Sequence, residues 1–229
     1  METAKLLDDD ALHRSPVVAN CAMNRERQLS GSNGYSFELK FDIASWLTSQ
    51  LEVRSIRWLD VCCGTGRALI EAMRLSEDLG HPNQLEITGI DLAGHFLSHN
   101  SPDLDLVKSS IESWLPQSDF DLVTCVHGLH YIGDKLAVVK KLANCLSAEG
   151  VLLASIDLEN LRFRDGRSAG RIAVKRFKDH GIEYVKNNRL IHCRGSKTIE
   201  SFGLKYCGAD DKAGPNYTGQ PAVNSFYGE

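Results

Sequence analysis

The chain has 229 residues, 42% of them hydrophobic and 24% charged, with a formal net charge of −4. That length suits one large domain that buries about 70% of its unfolded surface, and the composition excludes wholesale disorder. The slight acidity argues against a protein living on bare nucleic acid or anionic membrane, where a basic face is expected.

Residues 1–33 are polar and run into Ser30-Gly31-Ser32-Asn33-Gly34, a loop signal, so a loosely ordered start is expected. Leu39, Ile43, Trp46, Leu47 and Leu51 recur at helical spacing and predict one helix over 36–52. A strand is predicted over 56–61, a helix over 68–79 broken by His81-Pro82-Asn83, and strands over 85–90, 104–108 and 120–126. A helix over 134–146 follows, with Gly150 as its stop, then a strand over 151–156 and a helix over 169–180. Segments 182–185, 189–194 and 198–206 read as short strands, the first two joined at Asn187-Asn188. Residues 208–229 are rich in Gly, Pro, Asn and Asp and read as loop.

Strands that are apolar on both faces and alternate with helices predict an α/β fold. The expected form is a Rossmann-like doubly wound sheet, mostly parallel, with an antiparallel C-terminal edge. Its main domain would span 36–207, with 1–35 and 208–229 as flanks that close over the strand ends as lids.

The sharpest local signal is Trp58-Leu59-Asp60-Val61-Cys62-Cys63-Gly64-Thr65-Gly66-Arg67-Ala68-Leu69. A strand enters a glycine turn that leads into a helix. Glycines there let the backbone approach a ligand, and the helix start offers free N–H groups. Dinucleotide sites use G-x-G-x-x-G, but the third position here is Leu69, which disfavours a nucleotide-dependent oxidoreductase. Asp91 ends the second strand, 25 positions after Gly66. A carboxylate there can accept both hydroxyls of a ribose; without a ligand it would serve as a helix N-cap.

Together these residues resemble the class I S-adenosylmethionine-dependent methyltransferases. Asp60, Gly64 and Gly66 match the strand–D-x-G-x-G-x-G turn, and Cys62 stands where that pattern has its first glycine. Phe120-Asp121-Leu122-Val123 matches the F-D-x-V stem, and residues 142–153 match the helix–glycine–strand stretch, so the likeness runs over about 56–158. The resemblance implies S-adenosylmethionine as the methyl donor, held by Asp60, Cys62, Gly64, Gly66, Asp91, Leu92, Ser110, Ile111, Cys125 and Val126. Ser110 would bond the adenine amine and Ile111 would cover the ring.

His127, His130 and Tyr131 follow the fourth strand, at the carboxyl edge where ligands of open parallel sheets bind, and are the catalytic candidates. Tyr35, Asn216 and Tyr217 are the candidates for contacts from the lids. The Asn/Asp-Pro-Pro-aromatic signature for planar amino nitrogens is missing after the fourth strand. The expected acceptor is therefore a small molecule, methylated on O, N or C. Arg162, Arg164, Arg167, Arg171, Lys175, Arg176 and Lys178 keep an RNA or protein acceptor as the alternative. A third reading is a non-catalytic protein of the same fold.

Seven cysteines, Cys21 among them, form no C-x-x-C pair, which argues for reduced thiols and against a zinc site. Residues 1–10 lack the apolar run of a signal peptide, and no stretch approaches the ~20 apolar residues of a membrane helix. A cytoplasmic protein without metal or membrane contact is expected. Oligomeric state is not legible.

Overall fold

The computed structural model describes residues 6–19, 26–117 and 119–228. The first elements are four short helices: α1 (Asp9–His13), α2 (Pro16–Ala19), α3 (Tyr35–Leu39) and α4 (Ile43–Leu51). Then come β1 (Ile56–Val61), α5 (Arg67–Asp78), β2 (Leu85–Asp91), β3 (Leu104–Lys108), β4 (Phe120–Cys125), α6 (Lys135–Asn144) and β5 (Leu146–Ser155). The chain continues through β6 (Leu161–Phe163), α7 (Gly170–Asp179), β7 (Glu183–Val185), β8 (Leu190–Arg194), β9 (Lys205–Asp210) and β10 (Asn224–Gly228).

The main sheet has the order β3-β2-β1-β4-β5-β8-β7. The first five strands run parallel, whereas β8 is antiparallel to both β5 and β7. This is the expected doubly wound α/β sheet with an antiparallel C-terminal edge. Ile56 and Trp58 pack with Leu47 of α4 and Leu69 of α5 on one face. Leu59 and Val61 pack with Val139 of α6 and Phe177 of α7 on the other. Burial on both faces explains why β1 and β4 read as nearly unbroken apolar runs.

Several expectations need correction. The helix over 36–52 is two helices. Lys40 takes a left-handed conformation (φ +52°), and the Asp42 carboxylate then caps the N–H of Ser45 at 3.1 Å, restarting the helix. Residues 9–13 and 16–19 are helical: Leu12 is fully buried, and Leu7 pairs antiparallel with Ala209. The segment over 198–206 is no third hairpin strand. The Asn144 side chain accepts from Ile199 N–H and donates to its carbonyl, both at 2.9 Å, while Phe202 packs edge-on against Phe177. Gly150 lies inside β5 rather than stopping a helix; a Cβ there would sit 2.5 Å from Phe120 O, beside an irregularity in the β4–β5 pairing. Residues 208–229 are not all loop, because β9 and β10 form a second sheet of order β6-β10-β9.

This small sheet is fastened beside the end of β4. Val223 N–H donates to His130 O at 2.9 Å. The fully buried Lys135 Nζ lies 2.8 Å from both Ile132 O and Val223 O and 2.9 Å from Ser225 Oγ.

Candidate active site

The strand order reverses between β1 and β4, each leading to opposite halves of the sheet, and the site lies past their carboxyl ends. The turn after β1 is left-handed at Cys62 (φ +60°), Gly64 (φ +61°) and Gly66 (φ +75°). A Cβ on Gly66 would approach Leu106 Cδ1 to 2.9 Å. Cys62 is a non-glycine residue in a conformation glycine favours. Its side chain fits because residue 128 is glycine: a Cβ there would collide with Cys62 and with Cys125 Sγ.

Asp91 fixes this turn. Its Oδ2 accepts from Gly64 N–H at 3.0 Å and its Oδ1 from Ala93 N–H at 2.9 Å. A carboxylate offers about four lone-pair directions, so two remain for a ligand diol. Asp91, Leu92, Ser110 and Ile111 line a cavity of about 400 Å³, together with Cys62 and Tyr131. Its far wall comes from the N-terminal segment, through His13 and Val18. His13 Nε2 lies 3.0 Å from Glu112 Oε2, which ties α1 to the rim.

A second hollow of about 40 Å³ adjoins it. Cys62 and Tyr131 line both, and Arg27, Tyr35, Gly64, Val126 and His127 complete much of the smaller one. Asp60 and Cys125 are fully buried and line neither hollow. Asp60 sits underneath: Thr124 Oγ1 donates to it at 2.5 Å and Tyr35 OH at 2.7 Å, while Trp58 Nε1 donates to Thr124 at 2.8 Å. Burial pushes the Asp60 carboxyl up to about 7, against the pull of those two hydroxyls. Asp60 thus positions Tyr35 from below the turn.

The two histidines differ sharply. His130 is fully buried, and neither ring nitrogen has a hydrogen-bond partner. Burial and the neighbouring His127 push it down to about 3, so it stays neutral. His127 takes a left-handed backbone (φ +58°) that turns it into the small hollow. Its Nε2 lies 2.9 Å from Glu38 Oε2, and its Nδ1 lies 3.2 Å from Tyr217 OH. Glu38 also receives Arg27 Nη1 at 2.5 Å, and bonding to His127 lowers its carboxyl from the ordinary range.

Tyr217 lines neither hollow, but its ring lies under the Arg189 guanidinium at 4.5 Å. Asn216 is a turn former: its Oδ1 accepts from the N–H and hydroxyl of Thr218. Residues 20–25 of the N-terminal flank, expected to be part of a lid, fall outside the described residues. Arg27 was legible as part of a polar flank; Glu38, His13, Glu112 and Arg189 carried no local signal. Among the described residues, no group of three His, Cys, Asp or Glu could hold a metal ion, and no helix is long and apolar enough to cross a membrane.

The chain is an α/β domain with a left-handed glycine turn at the carboxyl end of β1, and comparison places it in a family. A family model described as "Methyltransferase domain" matches residues 38–194, and the chain belongs to that family. It is 30% identical over 115 residues to a ubiquinone biosynthesis O-methyltransferase of Albidiferax ferrireducens, covering 46% of this chain and 42% of that protein. It is 31% identical over 99 residues to a demethylmenaquinone methyltransferase of Bacillus licheniformis, covering 40% of each. The chain thus spans less than half the length of these curated relatives. Among solved structures, a SAM-bound amino pentose methyltransferase, CalS10 of Micromonospora echinaspora, aligns with a TM-score of 0.36 at 23% identity, covering 50% of this chain and 49% of that one.

Proposed function

We propose that this protein transfers a methyl group from S-adenosylmethionine to a small-molecule acceptor. The observation that carries the reading is the Asp91 carboxylate, aimed into a 400 Å³ cavity beside a left-handed glycine turn. The cavity suits an adenosine: Asp91 would take the ribose hydroxyls, and Ser110 and Ile111 would meet the base. The smaller hollow suits the amino-acid end, with Arg27 toward its carboxylate. Bound there, the donor supplies a methyl on a sulfonium, already a good leaving group, so the protein mainly aligns the two partners at ~3–3.5 Å. The names of the two curated relatives support a small-molecule acceptor.

An acceptor hydroxyl must lose its proton, and His127 is the base we assign. It lines the small hollow with its Nδ1 beside Tyr217 OH, while Glu38 orients the ring through Nε2 and balances the imidazolium. His130 is a packing neighbour, stacked on His127 with ring centroids 5.6 Å apart. His127→Ala is expected to lower kcat by about a hundredfold or more while leaving donor affinity nearly unchanged. His130→Phe should retain most of the turnover. Steady-state kinetics on both variants, with S-adenosylhomocysteine calorimetry as the binding control, checks this; full turnover in His127→Ala would remove the base.

A further inference from the structure

Resting on that methyltransferase reading, we propose that Tyr217 occupies the seat of the acceptor and that the acceptor is a phenol. The Tyr217 ring is held on two sides. The Arg189 guanidinium covers it at 4.5 Å, and the His130 ring meets it edge-on with centroids 5.2 Å apart. Its hydroxyl lies 3.2 Å from His127 Nδ1. With His127 Nε2–H given to Glu38, Nδ1 is an acceptor and the phenolic O–H donates to it. Burial pushes the Tyr217 hydroxyl up to about 12, so it remains a donor. The structure therefore shows a hydroxylated ring docked on the base of an oriented His–Glu pair, with a cation on its face.

The ring belongs to a loop that folds on itself. Asn216 N–H donates to Gln220 O at 2.7 Å, and Ala222 N–H to Gly214 O at 3.1 Å. Gly214 (φ +74°) and Gly219 (φ +79°) border open space. Withdrawal of this unit keeps its own hydrogen bonds intact; it releases the Tyr217 contacts and takes Thr218 and Gln220 from the wall of the small hollow. Arg189 is itself tethered, its Nη1 3.2 Å from Asp157 Oδ2, so the cationic face persists after the loop leaves. An entering phenol then gives its proton to His127 Nδ1, and an oxygen lone pair forms the bond to the methyl carbon. The carbon–sulfur bond breaks with its electron pair left on sulfur, yielding an aryl methyl ether and a neutral thioether. The proton leaves His127 for solvent.

The test uses Tyr217→Gly in the whole 229-residue chain in the presence of S-adenosylhomocysteine, with p-cresol as the probe and toluene as its hydroxyl-free control. Calorimetry or ligand-observed NMR is expected to show p-cresol binding the variant at least about tenfold more tightly than the parent, and about tenfold more tightly than toluene. Adding His127→Ala should erase the preference for cresol over toluene. Equal cresol affinity in parent and variant, or no preference over toluene, overturns the proposal. S-adenosylhomocysteine binding by the parent and Tyr217→Gly separates this failure from failure of the methyltransferase reading. If Tyr217→Gly does not fold, Tyr217→Phe, which keeps the ring and loses the hydroxyl on His127, should raise cresol affinity several-fold over the parent; unchanged affinity there also overturns it.

Discussion

Asp91→Ala is expected to weaken S-adenosylhomocysteine binding by at least about a hundredfold. The Asp91 carboxylate has two tasks. It ties Gly64 N–H at 3.0 Å and Ala93 N–H at 2.9 Å, and so sets the path of the turn. Asp91 also lines the 400 Å³ cavity, where its remaining lone pairs would meet a ligand. Hydrogen bonds to a charged group contribute about 1.5–3 kcal/mol each. Losing two ligand bonds therefore costs about 3 kcal/mol or more, or roughly two decades in affinity. Asp91→Asn sharpens the point: one amide oxygen can still accept, but the NH₂ opposes the other backbone N–H, so it should fall near the alanine variant. Calorimetry measures both. A thermal melt close to that of the parent would place the loss in the site rather than in the fold.

Lys135→Ala is expected to cost about 3–4 kcal/mol of folding stability, measured by urea unfolding. Lys135 is fully buried at the start of α6, where the helix dipole disfavours a cation. Its Nζ joins Ile132 O at 2.8 Å to Val223 O at 2.8 Å and Ser225 Oγ at 2.9 Å, which staples the small sheet to the segment after β4. Alanine leaves two buried carbonyls without this donor and a void the length of the side chain. Burial also pushes the Lys135 amine down to about 7 from an ordinary 10.5. The neutral amine still fits its partners, giving two N–H groups to the carbonyls and taking the Ser225 hydroxyl proton on its lone pair. Between pH 7 and 10.5 the unfolded chain holds a proton that the folded chain does not, so this residue makes stability rise with pH through that window. The rise should be present in the parent and absent in Lys135→Met. A flat parent profile would show that Lys135 keeps its charge inside the fold.

The parallel strands were legible because each is apolar on both faces and each is followed by a helix. The glycine turn and its acid were legible because the turn is one short contiguous run, with Asp91 one strand further on. The small sheet was not. Residues 205–210 and 224–228 carry glycines and polar residues, and β6, which pairs with β10, is three residues long and about sixty positions upstream of it. Their pairing is a long-range event with little local signal. The break at Lys40 was hidden because Asp42 lies between apolar positions that keep helical spacing across it. The His127–Glu38 contact was hidden for a related reason. Glu38 reads as the polar face of a surface helix, yet it meets His127 across 89 residues of sequence. Only the fold brings that carboxylate under the imidazole.

What the hollow beyond β1 and β2 holds is read by isothermal titration of the 229-residue chain, without any acceptor. S-adenosylhomocysteine should bind at one per chain with a dissociation constant of about 1–100 μM, and NAD at the same concentrations should give no saturable heat. Saturable binding of NAD with silence toward S-adenosylhomocysteine, or silence toward both, would contradict the account.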